Sequence, residues 1–244
     1  MLRRFLFPLL IIVVLLAVVG PAGAGGWSVA TLDTLPNCVI ADTPLTVGFV
    51  VRQHGVHVLE DLKPEILATE SESGRTVEVT AEEDAEGHYT AELTFPTDGE
   101  WEWILAAFGP EQPMPALTVL PADETCPDED EEVVLTAEEL AEQGADLFAA
   151  KGCVVCHQHD RSIFDAYASL NMGPELTTYH GDADFLCRWL DNPVAVKENA
   201  NMPDLNLSGD EIEALIAFLS TESDETPPTE SGWCGDLLAR AAAK

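Results

Sequence analysis

The segment "AAKGCVVCHQHD", Ala149 to Asp160, sets Cys153 and Cys156 three positions apart with His157 directly after them. Those residue types at that spacing could serve three chemistries. A dithiol redox pair wants Cys-x-x-Cys at a helix N-terminus after a strand, inside a βαβ pattern. A structural zinc site needs a fourth ligand beyond this trio, and Cys187 or Cys234 could supply it, although neither belongs to a second closely spaced pair. Covalent haem c accounts for all three residues at once: two thiols reach the two vinyl groups of one haem, and the adjacent histidine lies under the iron.

The haem reading makes demands on other parts of the chain. A low-spin carrier needs a sixth ligand on a loop, and "NANMPDLNLS" offers Met202; His159 and His180 are the alternatives, read otherwise as solvent-exposed histidines. Met172 stands beside Gly173 and Pro174. An apolar jacket is also needed, for which Phe148, Leu176, Phe185, Trp189, Leu190, Leu205 and Leu215 are candidates. The first and last helices should cross closely, with Gly144 as the point of approach and Phe218 placed there. With both axial positions filled by protein, the chemistry is electron transfer and not catalysis; a peroxidase-like enzyme would require Met202 to leave the iron.

Helical periodicity surrounds the motif. Thr136 and Glu139 form a capping box ahead of Leu140, Gly144, Leu147 and Phe148. A second helix is expected around Asp184 to Asp191, ending before Pro193. A third starts at Ser208 with Glu211 as its capping partner, Leu207 and Ile212 as a hydrophobic staple, and Leu215, Ile216 and Leu219 on its apolar stripe. Residues 136 to about 221 resemble a class I c-type cytochrome, close to the small domains of bacterial terminal-oxidase cytochrome subunits. "GADLFAAKGCVVCH", "MGPEL" and "NMPDLNLSGDEIEALIAFL" carry the likeness. It implies an all-α cytochrome c fold with haem bound through Cys153 and Cys156, His157 as proximal and Met202 as distal iron ligand. It also implies that the Pro174 carbonyl accepts a hydrogen bond from the histidine's other ring nitrogen and that the Met172 sulfur packs on the same, proximal side.

The preceding half has another period. In "LTVGFVV", Leu45, Val47, Phe49 and Val51 fall on one face; in "HYTAELTF", Tyr89, Ala91, Leu93 and Phe95 do. Gly-, Pro- and Asp-containing turns separate about seven such runs, which reads as an antiparallel, Ig-like sandwich. The stretches "VGFVVRQHGVHVLEDLKPEI" and "EGHYTAELTFPTDGEWEWIL" resemble the YtkA-like family of exported β-sandwich domains. His54, His57 and Met114 could together suit copper if the chain turns at Gly55, which would make this an accessory protein of a respiratory oxidase; otherwise the histidines lie on surface loops. The domain plan expected is residues 1–24 as signal peptide or anchor, 25–120 as sandwich, 121–135 as acidic linker and 136–244 as haem domain.

Arg3 and Arg4, the apolar run Phe5 to Val19 and the small-residue exit Ala22-Gly23-Ala24 read as a secretory signal. Either removed or kept as a membrane anchor, it places the remainder outside the cytoplasm. In that setting Cys38, Cys126, Cys187 and Cys234 are expected as disulfides. Pairing within each half gives Cys38–Cys126 and Cys187–Cys234, each destabilising the unfolded chain by about 4 kcal/mol; Cys126 could instead pair elsewhere. The 44 acids against 11 Lys and Arg give a formal charge of −33. That excludes nucleic acid as a partner; it suits redox proteins with a basic docking surface, and equally general solubility or a salty medium.

Overall fold

Period-two alternation becomes strand wherever Gly or Pro turns bracket it. The computed structural model describes residues 26–127, 135–162, 172–179, 181–220 and 232–242; the expected signal segment, most of the acidic linker and His180 lie outside them. Ten strands form two five-stranded sheets. One sheet is built from β1 (Ser28–Leu32), β3 (Pro44–Gln53), β8 (His88–Thr94) and β7 (Glu82–Ala85) in that order, with β4 (His57–Val58) pairing the end of β3. The other runs β2 (Val39–Ile40), β10 (Gln112–Leu120), β9 (Gly99–Ala106), β5 (Glu65–Glu70), β6 (Thr76–Thr80). All pairings are antiparallel except β2 with β10.

The alternating faces meet in one core. Val47, Phe49, Val51, Tyr89, Ala91, Leu93 and Phe95 turn inward from the first sheet, and Trp101, Trp103 and Leu105 answer from the second. Each such large apolar side chain contributes about 1.5–3 kcal/mol of burial. The Cys38–Cys126 disulfide then pins the chain leaving β10 back beside β2, as expected for a bridge within this half.

Six helices follow among the described residues: α1 (Ala137–Ala150), α2 (Cys153–Cys156), α3 (Ala183–Asp191), α4 (Pro193–Val196), α5 (Gly209–Leu219) and α6 (Trp233–Ala242). Both capping boxes are present, Thr136 with Glu139 and Ser208 with Glu211. Leu207 and Ile212 are both buried, as a staple requires. α1 and α5 cross at Gly144, where an added Cβ would stand 2.6 Å from the Ala214 carbonyl carbon and 2.8 Å from Phe218 Cβ. The Cys187–Cys234 bridge joins α3 to α6.

The expected fold class, a sandwich followed by a separate all-α domain of cytochrome c fold, is corrected here. The longest helix has 14 residues and two have only four, with irregular chain over 172–179 and 197–208. Nor do the helices close a core by themselves. Val29 of β1 belongs to their apolar cluster, while Ala150 of α1 belongs to the sandwich's. Polar groups knit the same seam. The buried Lys151 ammonium donates to the Leu32 and Asp33 carbonyls at 2.9 and 2.8 Å and pairs with Glu211 at 2.8 Å. The Gln112 amide exchanges two 2.9 Å hydrogen bonds with the backbone of Ala30 and reaches the Ala149 carbonyl at 3.4 Å. The reason is physical: short helices bury too little of their own surface, so strand β1 supplies the rest.

Candidate functional site

At the C-terminus of α1 the chain turns through Gly152, whose φ of 78° is a left-handed conformation that costs glycine nothing. The turn must also be glycine for space: a Cβ there would run into Val29 and stand 3.0 Å from the Ala30 carbonyl. The single turn of α2 follows, carrying Cys153 and Cys156. Both are free thiols, half-buried, whereas the other four cysteines are bridged. Burial, with Cys156 beside it, pushes the Cys153 thiol up to about 12; burial also raises Cys156. These groups are protonated thiols at neutral pH, unlike the low-pKa thiolate of a dithiol redox site. The zinc reading loses its fourth ligand, because Cys187 and Cys234 are spent on each other.

His157 caps α2. Its Nδ1 lies 2.9 Å from the Pro174 carbonyl. A carbonyl can only accept, so Nδ1 carries the proton and Nε2 presents a lone pair. Burial lowers the imidazole's pKa and the Pro174 bond opposes that only in part, so the ring is neutral near pH 7. Gly173 is packed flat against the ring: a Cβ would lie 2.6 Å from His157 Nδ1 and 2.8 Å from Nε2. The Pro174 carbonyl thus accepts the hydrogen bond that the motif resemblance implied.

These residues open on a cavity of about 590 Å³, on the scale of small-molecule and cofactor sites. Cys153, Cys156, His157, Pro174 and Met202 all line it, as do all seven of the apolar side chains expected for a jacket. Met202 is half-buried, and the Trp189 indole N–H donates to its sulfur at 3.1 Å. Met172 also lines the cavity but is 61% exposed, so its sulfur is not packed away as expected. His159 corrects another expectation. It is buried, with its ring 4.2 Å from that of Phe218 and 6.0 Å from that of Phe148.

The strand half forms part of the same wall, which the sequence did not announce. Val29 and Thr31 of β1, Arg52 of β3 and the turn His54-Gly55-Val56 all line the cavity. A Cβ on Gly55 would be 3.9 Å from the Cys156 sulfur. The copper set is not brought together. Met114 is buried in the sandwich core on the opposite sheet, His57 is exposed at the start of β4, and His54 meets Trp27 in a tilted ring contact with centroids 5.4 Å apart. Among the described residues no group of three or more His, Cys, Asp or Glu side chains is arranged to hold a metal ion by itself.

The two disulfides place the chain in an oxidising, extracytoplasmic compartment. Among the described residues no helix is long and apolar enough to cross a membrane. No family model matches the chain, and no curated protein matches it. Among solved structures, the Lin-41 filamin domain is similar at 14% identity and a TM-score of 0.31, over 37% of this chain and 90% of that one. A likeness of that size bears on neither the helical half nor the cavity.

Proposed function

We propose that the cavity holds one haem attached covalently through Cys153 and Cys156, and that the protein carries single electrons between partner proteins. The observation that carries this is the pairing, on one apolar cavity, of two free thiols with a histidine whose tautomer is fixed by the Pro174 carbonyl. A dithiol site has no use for that histidine, and a zinc site no use for so large an apolar space.

Each residue has a part. Cys153 and Cys156 would hold the haem through thioether bonds, the addition of each S–H across a vinyl group requiring no outside oxidant or reductant. His157 would hold the iron through Nε2, its ring fixed by the Pro174 carbonyl and by packing on Gly173. Met202 would hold it through the thioether sulfur, which the Trp189 N–H engages in the free protein. Phe148, Leu190 and Leu215 keep water from the cavity. Bound there, haem supplies a one-electron iron couple, which no side chain of this chain provides. Two protein ligands to the iron would leave no position for substrate, which favours a carrier over an enzyme. The partners are redox proteins with a basic docking face, drawn by the charge of −33 and released by salt. Residues 1–24 export the chain to the periplasm or an equivalent space, with or without remaining as an anchor.

The test is a pyridine-haemochrome assay and oxidised and reduced visible spectra, on protein made in a host that matures c-type haem. One bis-thioether haem per chain, with a methionine–iron band in the oxidised form, is expected. Cys153→Ser combined with Cys156→Ser should abolish covalent haem. Wild-type protein without covalent haem would overturn the proposal.

A further inference from the structure

The cavity's charge is opposite to that of the chain. Acids outnumber Lys and Arg 44 to 11 over the whole sequence. Yet among the described residues no Asp or Glu lines the cavity, whereas Arg52, Lys151 and Lys197 do. Excluding carboxylates from one site of so acidic a protein is what an anionic occupant requires, since a like charge beside it would cost affinity.

The three cations are not equivalent. Lys151 is committed to Glu211 and two backbone carbonyls. Lys197 is exposed, so solvent and salt screen it. Arg52 is half-buried at the end of β3, and among the described residues no carboxylate stands within ion-pair distance of it. Its Nη1 donates to Thr31 Oγ1 at 3.3 Å. That hydroxyl in turn donates to the Lys151 carbonyl at 3.4 Å, which fixes the guanidinium relative to the neighbouring Cys153 turn. Burial lowers the Arg52 pKa, and Asp204 offsets this only in part through space, its carboxylate being engaged by the Asn206 N–H at 2.9 Å. A partly desolvated guanidinium with unused donors is suited to a carboxylate, which it can grip through two parallel hydrogen bonds.

We propose that Arg52, contributed by the strand half, is a positioning residue that receives a carboxylate of the group held at Cys153 and Cys156, so that the sandwich is a wall of the cofactor site. The inference rests on the haem reading, because haem carries two propionate carboxylates on an otherwise apolar disc. It also gives the sandwich a task that a spacer would not have.

The experiment compares full-length wild type with Arg52→Gln and Arg52→Lys, all made with haem c maturation, for haem content, thermal unfolding and midpoint potential. Removing a cation beside the site favours the oxidised, more positive iron. Arg52→Gln is therefore expected to shift the one-electron equilibrium about tenfold toward oxidised, or about 59 mV lower. Arg52→Lys, keeping the charge without the fork, should shift it in the same direction but less, and Lys197→Gln less again. If Arg52→Gln does not fold, the shift in Arg52→Lys carries the test. Full haem loading with unchanged potential in the folded Arg52 variants overturns this inference and leaves the haem reading standing. No covalent haem in wild type overturns both.

Discussion

Lys151 should be the costliest single side chain to neutralise. It follows the last residue of α1, is 2% exposed, and its ammonium holds Leu32 O, Asp33 O and Glu211 Oε1 at 2.8–2.9 Å. Lys151→Met keeps most of the stem and removes only the charge and donors. Breaking one side of a buried ion pair costs about 3–5 kcal/mol. Glu211 is 18% exposed at its side chain and can recover water in part, which argues for the lower end. The Leu32 and Asp33 carbonyls lose a charged donor as well, worth about 1 kcal/mol or more each when left unpaired. The expected loss is about 5 kcal/mol, read from urea unfolding followed by circular dichroism, or roughly 10–20 °C in Tm for a chain of this size. Glu211→Gln is the control. Glutamine at that position preserves the capping box with Ser208, so only the ion pair is removed, and the loss should be about 1–2 kcal/mol. The double variant should lose less than the two single losses added together. A loss below about 1 kcal/mol in Lys151→Met would refute the claim that this lysine clamps the helices to β1.

Two further perturbations test local geometry. Gly144→Ala adds helix propensity worth about 1 kcal/mol, yet its Cβ would press on the Ala214 backbone, so urea unfolding should show a net loss of about 1–3 kcal/mol. His88 tests a pH dependence. Burial pulls its pKa down, but hydrogen bonds and charges from Asp84 and Asp33 outweigh that and hold it above its ordinary value. A raised folded-state pKa means stability present below the unfolded value of about 6.5 and lost as pH rises through the folded value. His88→Gln should therefore have a lower urea midpoint than wild type at pH 5.5. The gap should narrow as the pH is taken up through the folded pKa; a gap that widens toward pH 9 would sink the assignment.

The parts legible in the sequence are those written in neighbouring residues. Thr136 and Glu139, or Ser208 and Glu211, announce a helix start within four positions, and the alternation of Tyr89, Ala91, Leu93 and Phe95 announces a buried strand face. Cys153, Cys156 and His157 share one turn, so their shared cavity followed from spacing. Gly173 and Pro174 could be placed against His157 only because a motif resemblance linked them across 16 and 17 positions.

The separation into two independent folds failed for the complementary reason. The acid-rich stretch after Leu120 looks like a hinge, because local charge density is all that a single sequence displays there. What opposes hinge behaviour lies far away in the chain. Cys126 is bonded to Cys38, Lys151 to carbonyls 118 and 119 positions earlier, and Gln112 bridges Ala30 and Ala149. Each of these residues has an ordinary local explanation, as a linker cysteine, a helix-end lysine or a strand glutamine, so none signals its distant partner. The same holds for Arg52, which alternation alone accounts for as a residue between core-facing Val51 and the β3–β4 turn. A cavity walled from both halves is thus invisible to periodicity. It also constrains function: a sandwich whose Val29 packs in the apolar cluster of Cys153, Val154 and Val155 cannot move away from the cysteine turn without opening the site.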